Sequence, residues 1–363
     1  MNIHRVKKLQ SVLKNPLLIK KPENLLYLTG YSFMHGYLLV NPSRPSQREG
    51  VVFFGDGLER PPKVRTDFLS NIGAYVNSGR LELEDRFTLA EYDFIKSKLR
   101  QQENRAAIGY VRSPVDAQRV IKEPGEIALV KKSMQIVEQV FMQVKKKLRG
   151  GRTTSALTEI ELAEFIKAAG LRLGAEDVSF PPIVAAGPHA AVPHHVPDKT
   201  RLRPNQSIIL DFGFKYKNYC SDFTRTVFLR AAPRKLAEAY ECTERAYRES
   251  IEFINRFSAS SPGRGVEAAG VHRRAVAVLA EKRLNKYFIH SLGHGSGLEI
   301  HEAPGLSPAS LDTLKDGMVF SIEPGVYLPK TGGIRIEDLV YLEGGRCRKF
   351  IEVPTLLKEN III

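Results

Sequence analysis

Four carboxylate residues lie within or directly beside apolar, strand-like runs in the second half of the chain. They are Asp211, Asp222, Glu323 and Glu337. A hairpin turn centred on residues 216–217 would place Asp211 directly opposite Asp222, with their Cβ atoms about 5 Å apart. Two like charges in that position are destabilising unless a cation lies between them. The pair therefore predicts a cation site.

The other two carboxylates carry weaker signals. Residues 333–340 alternate apolar and polar side chains, so Arg335 and Glu337 share one face of a predicted strand. Taken alone, this segment indicates a half-exposed strand with a surface ion pair. Glu323 ends an apolar run and is followed at once by Pro324 and Gly325, which indicate a chain reversal.

Three histidines, His290, His294 and His301, occur within twelve positions of a glycine-rich segment. The glycines allow the backbone to approach a site closely. Four carboxylates and at least one imidazole form an oxygen-rich ligand set, which suits Mn²⁺, Co²⁺, Fe²⁺ or catalytic Zn²⁺. Four carboxylates are enough to hold a pair of dications. The residues therefore predict a site for two divalent metal ions.

The elements that must position these residues divide the chain into two predicted domains. Residues 1–121 alternate strand-like runs with one helical segment, which predicts a small α/β domain. Its predicted elements are strands at 38–40, 51–54 and 106–110, a helix at 85–99, and a turn-rich segment at 41–50. In residues 122–363 long amphipathic helices alternate with antiparallel strand pairs, which predicts an α+β domain.

The predicted elements of the second domain are four helices and four strand-like runs. The helices are 127–144, one that follows Arg152 with Thr158 and Glu161 near its start, 233–254 and 266–284. The strand-like runs are 207–214, 220–229, 318–322 and 333–342.

The composition of the chain indicates where the protein is located in the cell and which kinds of partner it binds. The net charge is +14, but the Lys and Arg residues are scattered without a nucleic-acid-binding motif, so no nucleic acid partner is predicted. No apolar run approaches the roughly 18 residues of a membrane span, and the N-terminal residues lack a signal-peptide core. Cys220, Cys242 and Cys347 are widely spaced, which favours a reducing cytoplasm over a disulfide framework.

The motifs resemble those of the pita-bread metallopeptidases, the family of prolidase, aminopeptidase P and methionine aminopeptidase. They are LDFG with Asp211, SDFTRT with Asp222, HSLGHGSGLEIHE with His294, IEPGVY with Glu323 and GIRIED with Glu337. They follow the family's order and spacing over about residues 125–350. PENLLYLTGY and the following Leu38–Val40 are similar to the start of a creatinase-type N-terminal domain. The resemblance implies that domain, followed by a pita-bread catalytic domain.

The resemblance also implies metal ligands. Asp211 would chelate one metal ion, His294 and Glu323 the other, and Asp222 and Glu337 would bridge both. Two divalent ions are expected, Mn²⁺ first, with Co²⁺, Zn²⁺ or Fe²⁺ as alternatives. In the family a metal-bridged hydroxide attacks the scissile carbonyl, which makes Glu323 the expected general base.

Further residues match positions around the family's substrate. His194 matches a histidine that binds substrate and stabilises the oxyanion, His301 matches a second substrate-side histidine, and His290 lines the same pocket. Arg335 is expected to orient the bridging carboxylates beside the substrate. The chain departs from the family at His195, where common relatives have Tyr or a small residue. We predict that His194 faces the metal ions, with His195 as the alternative.

The resemblance implies an exopeptidase that cleaves Xaa-Pro bonds in proline-containing peptides, and a homodimer. Motifs shared by prolidase and aminopeptidase P leave the choice between these two activities open. Methionine aminopeptidase is the nearest alternative, but the roughly 120-residue N-terminal domain and the short interval between Glu323 and Glu337 argue against it. Two further alternatives are a non-catalytic pita-bread binding module and the metal-free creatinase. Both are disfavoured because this chain has a ligand-type residue at each of the five metal-binding positions.

Overall fold

Contacts divide the chain of this computed structural model into two units, Met1–Arg119 and Val120–Ile363. The structure describes residues 1–32, 35–42, 50–55, 65–76, 79–149, 157–261 and 263–363. Most of the turn-rich segment predicted at 41–50 lies outside the described residues, as does Arg152, after which the second helix was predicted to begin.

The first unit is built on a six-stranded mixed sheet. Its strands are β1 (Leu17–Ile19), β2 (Tyr37–Val40), β3 (Val51–Phe54), β4 (Arg65–Asp67), β5 (Arg80–Glu84) and β6 (Ala107–Val111), in the order β4-β3-β2-β1-β5-β6. Its helices are α1 (Ile3–Val12), α2 (Pro22–Thr29), α3 (Leu89–Gln101) and α4 (Pro114–Arg119). The helix predicted at 85–99 begins at Leu89 because Thr88 and Glu91 form a capping box.

The described residues of the second unit form four α-helices, as predicted. They are α5 (Pro124–Leu148), α6 (Glu159–Arg172), α7 (Arg234–Ser260) and α8 (Ala268–Ala280). Thr158 accepts a hydrogen bond from the backbone N–H of Glu161, and the Glu161 side chain accepts one from the backbone of Thr158, which fixes the start of α6. The predicted fourth helix is shorter because residues 266–267 form a strand.

Most strands of the second unit belong to one nine-stranded sheet. The described strands of the whole unit, inside and outside that sheet, are β7 (Asp177–Val178), β8 (Ile183–Ala186), β9 (Ser207–Asp211), β10 (Phe214–Tyr216), β11 (Tyr219–Cys220), β12 (Phe223–Leu229), β13 (Val266–Glu267), β14 (Gly293–Gly295), β15 (Glu302–Leu306), β16 (Thr313–Leu314), β17 (Val319–Ile322), β18 (Gly325–Leu328), β19 (Gly332–Arg335), β20 (Glu337–Glu343), β21 (Arg346–Lys349) and β22 (Ile361–Ile362). The main order is β15-β14-β17-β20-β12-β9-β8, with β21 paired to β20 and β22 paired to β12.

Helices pack against this sheet and bury its apolar residues. Leu236 and Tyr240 of α7 belong to one buried cluster with Phe320 and Val340 of the sheet. From α5, the Phe141 ring meets the Phe223 ring edge-on, with centroids 5.3 Å apart. The predicted α+β class is therefore confirmed. Within the described part of the chain, no helix is long and apolar enough to cross a membrane.

The predicted pairing of Asp211 with Asp222 is wrong by two residues. The turn lies at Lys217 and Asn218, which both have positive φ, and Asp211 pairs with Thr224. A turn with two successive positive φ values is the type that fits the twist of a hairpin, and Asn adopts such values readily. Because side chains alternate with a period of two, a two-residue shift leaves Asp222 on the same face as Asp211.

The segment 333–342 is not one half-exposed strand. It is interrupted at Ile336, so that β19 pairs with β18 while β20 enters the main sheet. Arg335 and Glu337 are 4 % and 2 % exposed, so the interpretation as a surface ion pair is wrong. Because the strand is interrupted between them, the Arg335 and Glu337 side chains both lie in the interior of the unit.

Candidate metal centre

Five neighbouring strands bring the predicted ligands together. His294 lies in β14, Glu323 directly follows β17, Glu337 begins β20, Asp222 directly precedes β12 and Asp211 ends β9. These strands are adjacent in the order β14-β17-β20-β12-β9. All five side chains line a single cavity of about 660 Å³.

His294 is directed at the carboxylates. Its Nε2 atom lies 3.4 Å from Asp222 Oδ2 and 3.3 Å from Glu323 Oε1. Donor atoms of Asp222, His294 and Glu337 all lie within 4.8 Å of one another. On the other side of the ring, Nδ1 lies 3.0 Å from the Gly295 carbonyl, to which it donates a proton. Because Nδ1 keeps this proton, Nε2 is the ring nitrogen that can bind a metal ion once its own proton is lost.

The glycines on either side of His294 lie where a side chain would not fit. A Cβ atom on Gly293 would collide with the Ser321 carbonyl, and one on Gly295 would collide with the Ala303 carbonyl. Strand β14 is therefore held tightly between its neighbours β15 and β17. This packing leaves the His294 backbone little room to move.

Burial and mutual repulsion disfavour the charged form of three of the carboxylates. Burial raises the pKa of Asp211, and it raises the pKa values of Asp222 and Glu337 well above the usual range. Neighbouring carboxylates raise each of them further. Burial also raises the pKa of Glu323, but its hydrogen bond to His294 and the charge of that ring lower it to about 2. Compensating positive charge is needed to keep all four ionised.

Arg335 supplies part of that charge. Its guanidinium forms an ion pair with Asp211 Oδ2 and donates from Nε to Thr224 Oγ1 at 3.2 Å. Thr224 in turn donates to Glu337 Oε2 at 2.6 Å. Arg335 and Thr224 together therefore connect the carboxylates of Asp211 and Glu337.

The donor set fits divalent metal ions. Asp211 Oδ1 is buried, and within the described part of the chain it has no hydrogen-bond partner. A buried, unsatisfied carboxylate oxygen is costly unless a cation contacts it. Arg335 provides one positive charge against four carboxylates, and four oxygen donors with one imidazole suit hard or borderline dications.

Sequence reasoning did not single out Tyr327, which connects Arg335 to His290. Arg335 Nη1 donates to the Tyr327 hydroxyl at 2.8 Å, and that hydroxyl lies 2.8 Å from His290 Nε2. His290 Nδ1 donates to the Ser291 carbonyl at 2.7 Å, so Nε2 accepts from Tyr327. Burial lowers the pKa of His290, which favours this neutral form. Tyr327 is the last residue of IEPGVY, which was the available signal.

The adjacent residues His194 and His195 have different surroundings. Both line the cavity, but His195 Nε2 lies 2.7 Å from Glu159 Oε2, and His195 is less exposed than His194. His301 lies on the cavity wall with its ring centroid 4.2 Å from that of His294. His195 is thus held by Glu159, a residue that sequence reasoning did not single out.

The cavity also has an apolar wall. It is formed by Phe180, Pro181, Pro182, Ile183, Val196, Pro197 and Ile300. Polar and charged groups on one side and apolar side chains on the other are the usual composition of a site for a small organic ligand.

Comparisons with known proteins agree with this geometry. The model of metallopeptidase family M24 matches residues 128–343. An Xaa-Pro dipeptidase from Pyrococcus furiosus is 31 % identical to this chain, and the match covers 89 % of this chain and 89 % of that protein. A putative Xaa-Pro aminopeptidase from Mycoplasma pneumoniae is 30 % identical, and the match covers 93 % of this chain and 92 % of that protein. The crystal structure of the prolidase from Pyrococcus horikoshii superposes with a TM-score of 0.85 at 27 % identity, covering 98 % of this chain and 99 % of that one.

The chain therefore belongs to metallopeptidase family M24. Its fold is the pita-bread fold, as predicted, and the protein is a metallopeptidase that uses divalent metal ions.

Proposed function

We propose that this protein is a dinuclear-metal exopeptidase that hydrolyses the Xaa-Pro bond at the N-termini of peptides or in dipeptides. Asp211, Asp222, His294, Glu323 and Glu337 hold the two metal ions in this proposal. The observation that carries it is the convergence of these five side chains in one cavity, together with a buried Asp211 oxygen that has no hydrogen-bond partner among the described residues. The names of the relatives support Xaa-Pro peptides as substrates.

The chemistry divides between the ions and the chain. When bound, two divalent cations lower the pKa of a water molecule, so that a strong nucleophile exists at neutral pH. Glu323 is the proposed general base: it accepts the proton of the attacking water at a carboxylate oxygen and passes it to the leaving proline nitrogen. Ser321 Oγ donates to Glu323 Oε1 at 3.0 Å and so orients that carboxylate.

His194 and His301 are proposed to bind the scissile carbonyl and to stabilise the negative charge that develops on its oxygen. Their position on the cavity wall supports this role, and the hydrogen bond between His195 and Glu159 favours His194 over His195. His290 is proposed to contact substrate with its orientation fixed by Tyr327. The apolar wall suits the proline ring.

Release of free amino acid from Ala-Pro and from Ala-Pro-Ala tests the function. The protein is stripped of metal and then reloaded with Mn²⁺, Co²⁺ or Zn²⁺ before each assay. Metal-dependent cleavage of the dipeptide alone would make it a dipeptidase, and cleavage of the first bond of the tripeptide would make it an aminopeptidase P. Failure to cleave either peptide with two ions bound per chain would contradict the proposal, and methionine-initiated peptides would then be assayed for the alternative, methionine aminopeptidase.

Arg335→Lys is expected to weaken metal binding about 10- to 100-fold. Lysine keeps the positive charge beside Asp211 but cannot also contact Thr224, Tyr327 and the Pro193 carbonyl, which the guanidinium reaches together. Titration of the metal-stripped protein with Mn²⁺ measures the effect. Arg201→Lys, at an exposed arginine, is the matched control. Equal affinity in the Arg335 variant and the control would contradict a positioning role for Arg335.

We further propose that residues 1–121 are a creatinase-type N-terminal domain and that residues 122–363 are the catalytic domain. In this proposal the protein is a cytoplasmic homodimer in which the N-terminal domain of the partner subunit helps to close the substrate pocket. Sedimentation equilibrium checks the dimer, and a monomeric mass for the active protein would contradict it.

A further inference from the structure

A second group of potential metal ligands lies outside the set of five. It consists of Glu159, His189, His195 and Asp198, each of which offers one donor atom within 4.8 Å of the others. His195 Nε2 lies 2.7 Å from Glu159 Oε2, and His189 Nδ1 lies 3.1 Å from Glu159 Oε1. The two imidazole rings are 4.2 Å apart between centroids. Two rings thus direct a nitrogen at the same carboxylate.

Glu159 is the fixed point of this group. It is fully buried, and it accepts backbone hydrogen bonds from Ala186 at 2.8 Å and from Asp198 at 3.2 Å. The backbone thereby holds the carboxylate in one orientation. Both imidazole rings contact this buried carboxylate, and a cation bound between them would compensate its negative charge.

The donor types and spacing match a borderline dication. Zn²⁺ binds imidazole nitrogens at about 2.0–2.1 Å and carboxylate oxygens at about 2.0–2.2 Å, so the donors of a tetrahedral site lie about 3.4 Å apart. The 3.1 Å distance from His189 to Glu159 approaches that separation. The 2.7 Å distance from His195 is that of a hydrogen bond, so a bound ion would take the place of its proton and widen the contact. The Asp198 carboxylate is exposed, and one of its oxygens completes the group of donor atoms. The backbone N–H of Thr200 donates to Asp198 Oδ1 at 2.7 Å.

We propose that Glu159, His189, His195 and Asp198 form a zinc site that is distinct from the five-residue metal centre. Two carboxylates balance the charge of the ion, and two imidazoles provide the nitrogen ligands that zinc prefers. Because His194 directly precedes His195, zinc bound here fixes the backbone beside a residue that lines the main cavity. This inference rests on the geometry of the four side chains and does not depend on the proposed peptide specificity.

The number of zinc ions per chain tests the proposal. Wild type, His189→Asn, His195→Gln and the control His4→Asn are stripped of metal and equilibrated at one buffered concentration of free Zn²⁺. Asn and Gln keep an N–H donor for Glu159 but remove the imidazole, and His4 is an exposed histidine far along the chain from this group. We expect the two cluster variants to hold one zinc ion fewer per chain than wild type and His4→Asn. Equal zinc contents in all four proteins would overturn the proposal.

A second measurement uses the wild-type chain alone. Diethyl pyrocarbonate modifies accessible imidazoles, and His189 is 34 % exposed in its side chain. We expect Zn²⁺ to protect His189 from modification, as read by peptide mass spectrometry, while His4 stays reactive. Unchanged reactivity of His189 in the presence of Zn²⁺ would refute the site, whatever the peptidase assays give.

Discussion

Asp222→Asn is expected to lower kcat/KM for a cleaved Xaa-Pro peptide by at least about a thousandfold, because a bridging carboxylate is worth several kcal/mol and about 1.4 kcal/mol is a factor of ten. Asn keeps the size of the side chain but removes its charge. Peptide hydrolysis and the number of metal ions per chain are measured together. We expect the variant to hold fewer metal ions than wild type.

The same substitution is expected to leave the stability of the metal-free protein unchanged or increased at neutral pH. Burial and neighbouring carboxylates raise the pKa of Asp222 well above its usual value. A carboxyl whose pKa is higher in the folded state costs stability at every pH above the unfolded pKa, and a neutral amide removes this cost. Thermal unfolding of the two metal-free proteins checks the direction of the change.

Asp316→Asn is the matched control for Asp222→Asn. Asp316 is an exposed residue of the same unit whose carboxylate accepts a hydrogen bond from Gly345, which an amide oxygen also accepts. We expect wild-type activity and metal content for it. If Asp222→Asn were as active as this control, the assignment of Asp222 as a bridging ligand would be wrong.

Arg225→Met is expected to lower the free energy of unfolding by about 3–5 kcal/mol. The Arg225 guanidinium is fully buried and forms a 2.8 Å ion pair with Asp338 Oδ1. It also donates to the carbonyls of Thr224, Glu337, Pro354 and Val353. Methionine fills similar space but leaves a buried carboxylate and four carbonyls without this donor. Urea unfolding of the metal-free proteins measures the loss.

Lys349→Met is the control, because it removes a cation from the same carboxylate at the edge of the unit. Lys349 Nζ lies 3.3 Å from Asp338 Oδ2 and is 24 % exposed. A partly exposed pair contributes about 1 kcal/mol or less. If the two variants unfolded at the same urea concentration, Arg225 would not be the residue that anchors Asp338 and the start of β20.

The candidate metal ligands of the main site were recognisable from local sequence. Asp211 and Asp222 stand beside apolar strands, and their placement on one face followed from the period of two, although the predicted register was wrong. The register was decided by the positive φ values at Lys217 and Asn218, which the residue types permit but do not require. Helix α6 was predictable because its capping box lies within four residues.

The supporting contacts were not predictable in the same way. Arg225 and Asp338 are more than a hundred residues apart, and so are Arg335 and Asp211. Arg225 and Asp338 carry no signal in their own segments. Arg335 was expected to orient carboxylates, but its local sequence does not show that it pairs with Asp211. Their pairing depends on which strands become neighbours in the nine-stranded sheet, and local residue preferences carry no information about that order.

The sequence by itself determined the ligand types, the faces on which they lie and the helices that cover the sheet, because these depend on neighbours within a few residues. Only the tertiary structure decided that Glu159 lies between His189 and His195, and that the interruption at Ile336 turns Arg335 inward. The physical reason is that buried polar groups must be paired, and the partner is whichever residue the packing of distant strands and helices brings within hydrogen-bonding distance.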